Sequence, residues 1–149
     1  MEIEKEIQNA KFKDEYQKAY INIIYTYNWL NAMIKAELAK SKITPQQFNI
    51  LRILRGQHPK PATINTIKER MLDKMSDASR IVDRLVSKDL VKRTVCEADR
   101  RAVDIVISDK GLALLEGVKL EESMAITLSG HVTNEQALQL SDLLDAFRG

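Results

Sequence analysis

Turn-forming residues are scarce in this chain: five glycines and three prolines in 149 residues. Sandwiches and barrels need a turn every few residues, so the scarcity favours a mostly helical fold. The single cysteine, Cys96, excludes an internal disulfide framework and a cysteine-based zinc site, and it fits a reducing cytosol. No apolar run approaches the roughly 20 residues of a membrane span. No charged segment followed by an apolar run opens the chain, so no secretory leader is read. The expectation is a cytoplasmic protein with no membrane partner. H-E-x-x-H, phosphate-loop, G-x-S-x-G and dinucleotide patterns are all missing. The two histidines, His58 and His131, fall far apart in segments read as loops. Catalysis, a bound metal and a cofactor are therefore not expected.

What is present places the chain among folded proteins. Hydrophobic residues make up 44% and charged residues 30%, too apolar for a disordered chain. The formal net charge is only +2, but its distribution is uneven. Residues 1–41 carry six basic and six acidic groups, and residues 42–59 three basic and none acidic. Residues 60–101 carry eleven basic and seven acidic, and residues 102–149 three basic and eight acidic. A basic centre flanked by a neutral and an acidic segment suits a nucleic-acid-binding middle between non-contacting helices.

Apolar residues recur at three and four from Phe12 through Tyr16, Tyr20, Ile23, Tyr27, Leu30, Ile34 and Leu38. This predicts one helix from Phe12 to Ala39, about 40 Å long at 1.5 Å per residue. A small domain cannot cover that length, so part of the stripe is expected to pack on a second subunit. Thr44, Pro45 and Gln47 form a capped restart, and a helix follows to Arg55. A third helical piece is expected over Thr63–Leu72, with a capping box from Thr66 and Glu69. Ser76 is then read as the cap of a fourth, running to Lys88. Leu90–Cys96 and Ala102–Ser108 alternate and are rich in β-branched residues, which predicts two strands joined by a turn at Glu97–Arg101. Ser108 opens a helix to Leu128, and Thr133 with Gln136 caps the last one.

The chemistry concentrates between Met75 and Ser108. Arg80 and Arg84 stand one turn apart on one face of the fourth helix. Such a helix laid in a major groove presents Ser76, Asp77, Ser79 and Arg80 to base edges, arginine pairing best with guanine. Asp77 suits a cytosine amino group, and Asp83 suits orienting a neighbouring arginine. The strand turn carries Asp99, Arg100 and Arg101; a guanidinium there fits a narrow minor groove. Two short helices followed by a charged hairpin make a winged helix-turn-helix. The expected class is mainly α (α+β): a winged helix-turn-helix with a two-stranded wing, plus N- and C-terminal dimerisation helices.

The run SDASRIVDRLVSKDLVKRTVCEADRRAVDIVISDKG resembles the winged-helix core of the MarR family of bacterial transcriptional regulators. The wing motif Asp99-Arg100-Arg101 carries the resemblance, together with Ser108-Asp109-Lys110-Gly111 opening the next helix. The resemblance implies one MarR-type domain over 1–149, with a DNA-binding core over about 44–108. It implies dimerisation helices over about 10–40 and 109–149. A homodimer on a palindromic duplex DNA operator follows, with wing contact to the minor groove; which wing arginine enters stays open. It further implies a repressor released by a small aromatic or phenolic effector, for which Tyr25 and Trp29 are the candidate residues. Thiol-based sensing is not expected, because Cys96 lies in a wing strand rather than near the N-terminus. The competing reading is a winged-helix interaction module that docks a protein and has no DNA-binding activity.

Overall fold

A computed structural model describes residues 2–8, 11–95 and 103–149 of the chain. Among them, helices and one hairpin follow in the order α1 (Ile3–Glu6), α2 (Glu15–Ala39), α3 (Pro45–Gln57), α4 (Ile64–Arg70), α5 (Ala78–Ser87), β1 (Val91–Val95), β2 (Val103–Ile107), α6 (Asp109–Gly117), α7 (Leu120–Ser129) and α8 (Asn134–Arg148). The fold is thus mainly helical with a two-stranded antiparallel sheet, as the pattern predicts. None of the described helices is long and apolar enough to cross a membrane.

Most starts follow from the caps written in the sequence. Thr44 accepts from the Gln47 amide while the Gln47 side chain accepts from the Thr44 amide, so two orphan donors of α3 are satisfied reciprocally. Thr133 and Gln136 do the same for α8. Two caps differ from expectation by a few residues. Thr63, not Thr66, caps α4, accepting from the Thr66 amide at 3.2 Å. The reason is upstream: Ala62 exchanges both backbone hydrogen bonds with Ile105 of β2, so the chain leaves extended geometry at Thr63. Asp77, not Ser76, caps α5, accepting from the Arg80 amide at 3.1 Å. The long helix begins at Glu15 with Asp14 as its cap, past Phe12. The expected helix from Ser108 to Leu128 is two helices, broken at Val118 and Lys119 so that Leu120 turns into the core. α1 has no sequence signal; it is held by burial of Ile3 and by a Lys18–Glu4 ion pair at 2.5 Å.

The core lies under the winged unit. Leu38, Ile50, Leu51, Leu54, Ile67, Val82, Leu85, Val91 and Ile105 are the largest fully buried side chains. Each is worth roughly 1.5–3 kcal/mol against exposure, so α3, α4, α5 and the hairpin form one packed body. β1 and β2 pair in register with Val91 opposite Ile107 and Arg93 opposite Ile105. Helix α5 stops in a Schellman motif: the Leu90 amide bonds to the Leu85 carbonyl and the Asp89 amide to that of Val86. Asp89 takes the left-handed conformation this requires, φ 60°. The outer helices are different. Among exposed large apolar residues are Tyr16 at 82% and Tyr27 at 63% on α2, and Leu138, Leu140, Leu143 and Phe147 on α8. No residue of α8 is buried.

Candidate nucleic-acid interface

Helix α5 is sharply two-sided. Ala78, Val82 and Leu85 are fully buried against the core. Arg80, Asp83, Arg84 and Ser87 are exposed, and Ser79 is partly so. The Ala78–Ser87 sequence dictates this, because its apolar residues recur at three and four. Arg80 and Arg84 form no salt bridge among the described residues, so two guanidinium groups on one face are open to an anion or base edge. The acidic neighbour is otherwise engaged: Asp83 pairs with Arg93 of β1 at 2.7 Å. That pair ties α5 to the hairpin. Asp83 orienting an arginine is as the sequence suggests, and the arginine comes from the wing strand rather than from α5.

The end of α5 that leads into the helix is held by a compact turn. Asp73 accepts from the Met75 amide at 3.0 Å and from the Ser76 hydroxyl at 2.6 Å. These bonds hold the Asp73 carboxyl below the usual carboxylate range, the Ser76 hydroxyl contributing most. Leu72 belongs to this turn and not to a helix: α4 ends at Arg70, Met71 is buried, and Leu72 is exposed. Its amide donates to the Asn49 side chain of α3 at 2.9 Å. Of the expected DNA-contacting set, Ser76, Asp77, Ser79, Arg80 and Arg84 come together on α5 and its leading turn. Asp99, Arg100, Arg101 and Cys96 lie outside the described residues.

A cleft of about 570 Å³ opens between α2, α3, α7 and the Leu72 turn. Ile34, Phe48, Ile53, Leu72 and Leu120 supply apolar walls, and Arg52 supplies a charge. Arg52 lies 5.9 Å from the centroid of the Phe48 ring and pairs with Glu121 of α7. Tyr25 and Trp29 do not line this cleft. The Tyr25 hydroxyl donates to Glu6 of α1 at 2.7 Å, which pushes the phenol above its ordinary range. Phe48, Arg52 and Ile53 lie within six residues of α3, but no local pattern records that Ile34, Leu72 and Leu120 close the cleft around them.

A three-helix unit with an exposed, arginine-bearing third helix, closed by a two-stranded hairpin, defines a winged helix-turn-helix protein. Comparison with known proteins makes the assignment narrower. Residues 41–102 match the MarR family. The chain is 24% identical over 123 residues to the HTH-type transcriptional regulator MhqR of Bacillus subtilis, covering 83% of each. It is 34% identical over 88 residues to the HTH-type transcriptional repressor MdtR of the same organism, covering 59% of this chain and 52% of that one. Solved structures share the fold. The organohalide-sensing regulator RdhR in its 2,4-dichlorophenol-bound form superposes with a TM-score of 0.81 at 19% identity, over 93% of this chain and 85% of that one. MepR of S. aureus, in complex with DNA, superposes with a TM-score of 0.75 at 22% identity, over 92% of this chain and 97% of that one. The winged unit is thus similar to that of MarR-family winged helix-turn-helix transcriptional regulators, and the whole chain shares their fold.

Proposed function

We propose that the protein is a sequence-specific DNA-binding repressor acting as a homodimer on a palindromic operator, released by a small aromatic or phenolic effector. The observation that carries it is the outer face of α5, where Arg80 and Arg84 stand exposed and unpaired among the described residues while Ala78, Val82 and Leu85 on the opposite face are fully buried. In this reading α5 enters the major groove and Ser76, Asp77, Ser79, Arg80 and Arg84 meet base edges and phosphates. Asp99, Arg100 and Arg101 of the wing reach the adjacent minor groove. The dimer reading rests on α8, a fifteen-residue amphipathic helix with nothing buried, and on the bare stripe of α2. An isolated helix of this length is marginal in water, so a second copy covering both faces supplies what one chain lacks.

The effector site is assigned to the cleft of α2, α3 and α7. Its aromatic and aliphatic walls suit an arene, and Arg52 suits a phenolate or carboxylate oxygen. A dichlorophenol occupies RdhR, a protein of the same fold. Coupling follows from Leu72, which borders the cleft and leads directly into the turn before α5. A ligand that packs on Leu72 biases where α5 sits.

Selection of duplexes from a randomised pool tests the proposal. The protein enriches a two-fold symmetric site, and Arg80→Ala weakens binding to it by about 1–3 kcal/mol, the worth of one bidentate base contact. Addition of 2,4-dichlorophenol raises the melting temperature of the parent protein and releases the duplex. A stable dimer that enriches no sequence supports the protein-docking module instead.

A further inference from the structure

The turn between α4 and α5 contains one side chain, that of Met75, that nothing among the described residues accounts for. Leu72 is anchored to Asn49 through its amide, and Asp73 binds the Met75 amide and the Ser76 hydroxyl. The Lys74 ammonium caps the end of α4, donating to the carbonyls of Lys68 and Glu69. The Met75 side chain, by contrast, is 94% exposed, the most exposed of the large apolar residues described. It stands two residues before the Asp77 cap of α5, on the end of that helix that the proposed function places at the DNA. A flexible thioether chain held in water on a fixed turn is an apolar contact waiting for a partner surface.

Ser76 adds a second, independent constraint. A serine hydroxyl has one proton and two lone pairs. The proton is committed to Asp73 at 2.6 Å, and Asp73 is held in its charged, accepting form by that bond and by the Met75 amide. The half-buried Ser76 hydroxyl is therefore left with acceptor capacity only. In the major groove the donors are the N6 amino group of adenine and the N4 amino group of cytosine. Guanine O6 and N7 and thymine O4 are acceptors and give Ser76 nothing. The one apolar group on any base edge there is the C5 methyl of thymine.

We propose that Met75 and Ser76 together read A·T pairs within each half-site, Met75 packing on a thymine C5 methyl and Ser76 accepting from an adenine N6. The inference rests on the DNA-binding reading of α5 and specifies which bases its leading turn prefers. It also explains why an exposed methionine coexists with a tightly bonded turn. The turn's backbone is held by these hydrogen bonds before DNA arrives, so little backbone freedom is lost there on binding.

Base analogues separate the two contacts. The parent protein must first bind its selected duplex in an anisotropy titration; failure there refutes the DNA reading itself and leaves nothing for the turn to read. Each thymine of the half-site is then replaced in turn by deoxyuridine, which removes only the methyl. At one thymine per half-site, parent affinity drops roughly fourfold, the worth of one buried methyl. Met75→Ala shows no drop at that position. Each adenine is likewise replaced by unsubstituted purine, which lacks the N6 amino group; the parent loses affinity at one position and Ser76→Ala does not. Circular dichroism melts confirm that both variants are folded. A deoxyuridine scan that is flat in the parent, or an equal penalty in Met75→Ala, overturns the Met75 contact. A purine penalty that persists in Ser76→Ala overturns the Ser76 contact.

Discussion

Single residues in this protein show their purpose through what they exclude. Gly111 opens α6 where a Cβ would lie well inside contact distance of the Leu90 carbonyl oxygen and 2.8 Å from Ile107 Cγ1. Neither neighbour is a flexible chain end, so Gly111→Ala is expected to lower stability by about 1–3 kcal/mol through overpacking, read as a fall in the denaturant midpoint. Ser108 explains why the approach is so tight: its hydroxyl accepts from the Gly111 amide at 3.0 Å and donates to the Asp89 carbonyl at 2.7 Å. The Ser108-Asp109-Lys110-Gly111 motif was legible in the sequence as a helix start. That its glycine answers to steric contact with the preceding strand was not, since nothing local records where Leu90 sits. Tyr25 offers a pH test. Its neutral form donates to Glu6, so the phenol's pKa in the folded chain is raised above that of a free tyrosine. The contribution of this bond is present below about pH 10 and is lost as pH rises through the raised value. A phenolate absorbance titration is expected to show one tyrosine ionising late, and Glu6→Gln to bring it back toward the others. Glu6 was invisible as a partner because it lies nineteen residues away, in a helix with no periodic signal.

At the scale of elements, caps decide where helices begin, and neighbours decide which cap wins. Thr44 and Thr133 were readable because each has a glutamine three residues on and no rival beside it. Ser76 and Asp77 are adjacent and equally capable, so local preference alone does not choose between them. In the folded chain the Arg80 amide donates to Asp77, while the Ser76 hydroxyl donates back to Asp73 in the preceding turn. Asp77→Ala is therefore expected to cost about 1 kcal/mol, and Ser76→Ala clearly less, in parallel chemical denaturations. A larger loss in Ser76→Ala would return the cap to the serine. The break between α6 and α7 has the same character. Gly117 marks the place in the sequence, yet the reason for the break is tertiary, the burial of Leu120 beside α3. The Arg93–Asp83 pair joins two elements that are remote in any periodic pattern. Both partners are partly exposed, so the pair contributes only about 0.2–1 kcal/mol, and its consequence is the angle between helix and wing more than stability.

The whole molecule is organised by an imbalance. The middle of the chain buries most of its apolar residues, Leu72 and Met75 of the α4–α5 turn excepted, while α8 and much of the α2 stripe leave theirs in water. Sequence periodicity gave the long stripe of α2 and its excess length, which pointed to a second subunit. The acidic charge of residues 102–149 against the basic centre pointed to helices held away from DNA. In the proposed function, a second copy covering these faces places two copies of α5 at a fixed separation, and a two-fold dimer reads half-sites about one helical turn apart. Changing that separation is the route the proposal gives a ligand in the Leu72 cleft for acting on DNA.

The spacing of half-sites tests this account most directly. Two copies of the selected half-site are placed about 10 base pairs apart, centre to centre, and compared with the same duplex carrying about 5 extra base pairs and with a single half-site. Anisotropy titrations at one salt concentration give the three affinities, and sedimentation gives the stoichiometry. Two chains bound tightly to the one-turn duplex, with affinity falling by at least about tenfold on the half-turn insertion, is the result expected of a rigid two-fold reader. Equal affinity for all three duplexes, or one chain bound to each, contradicts it.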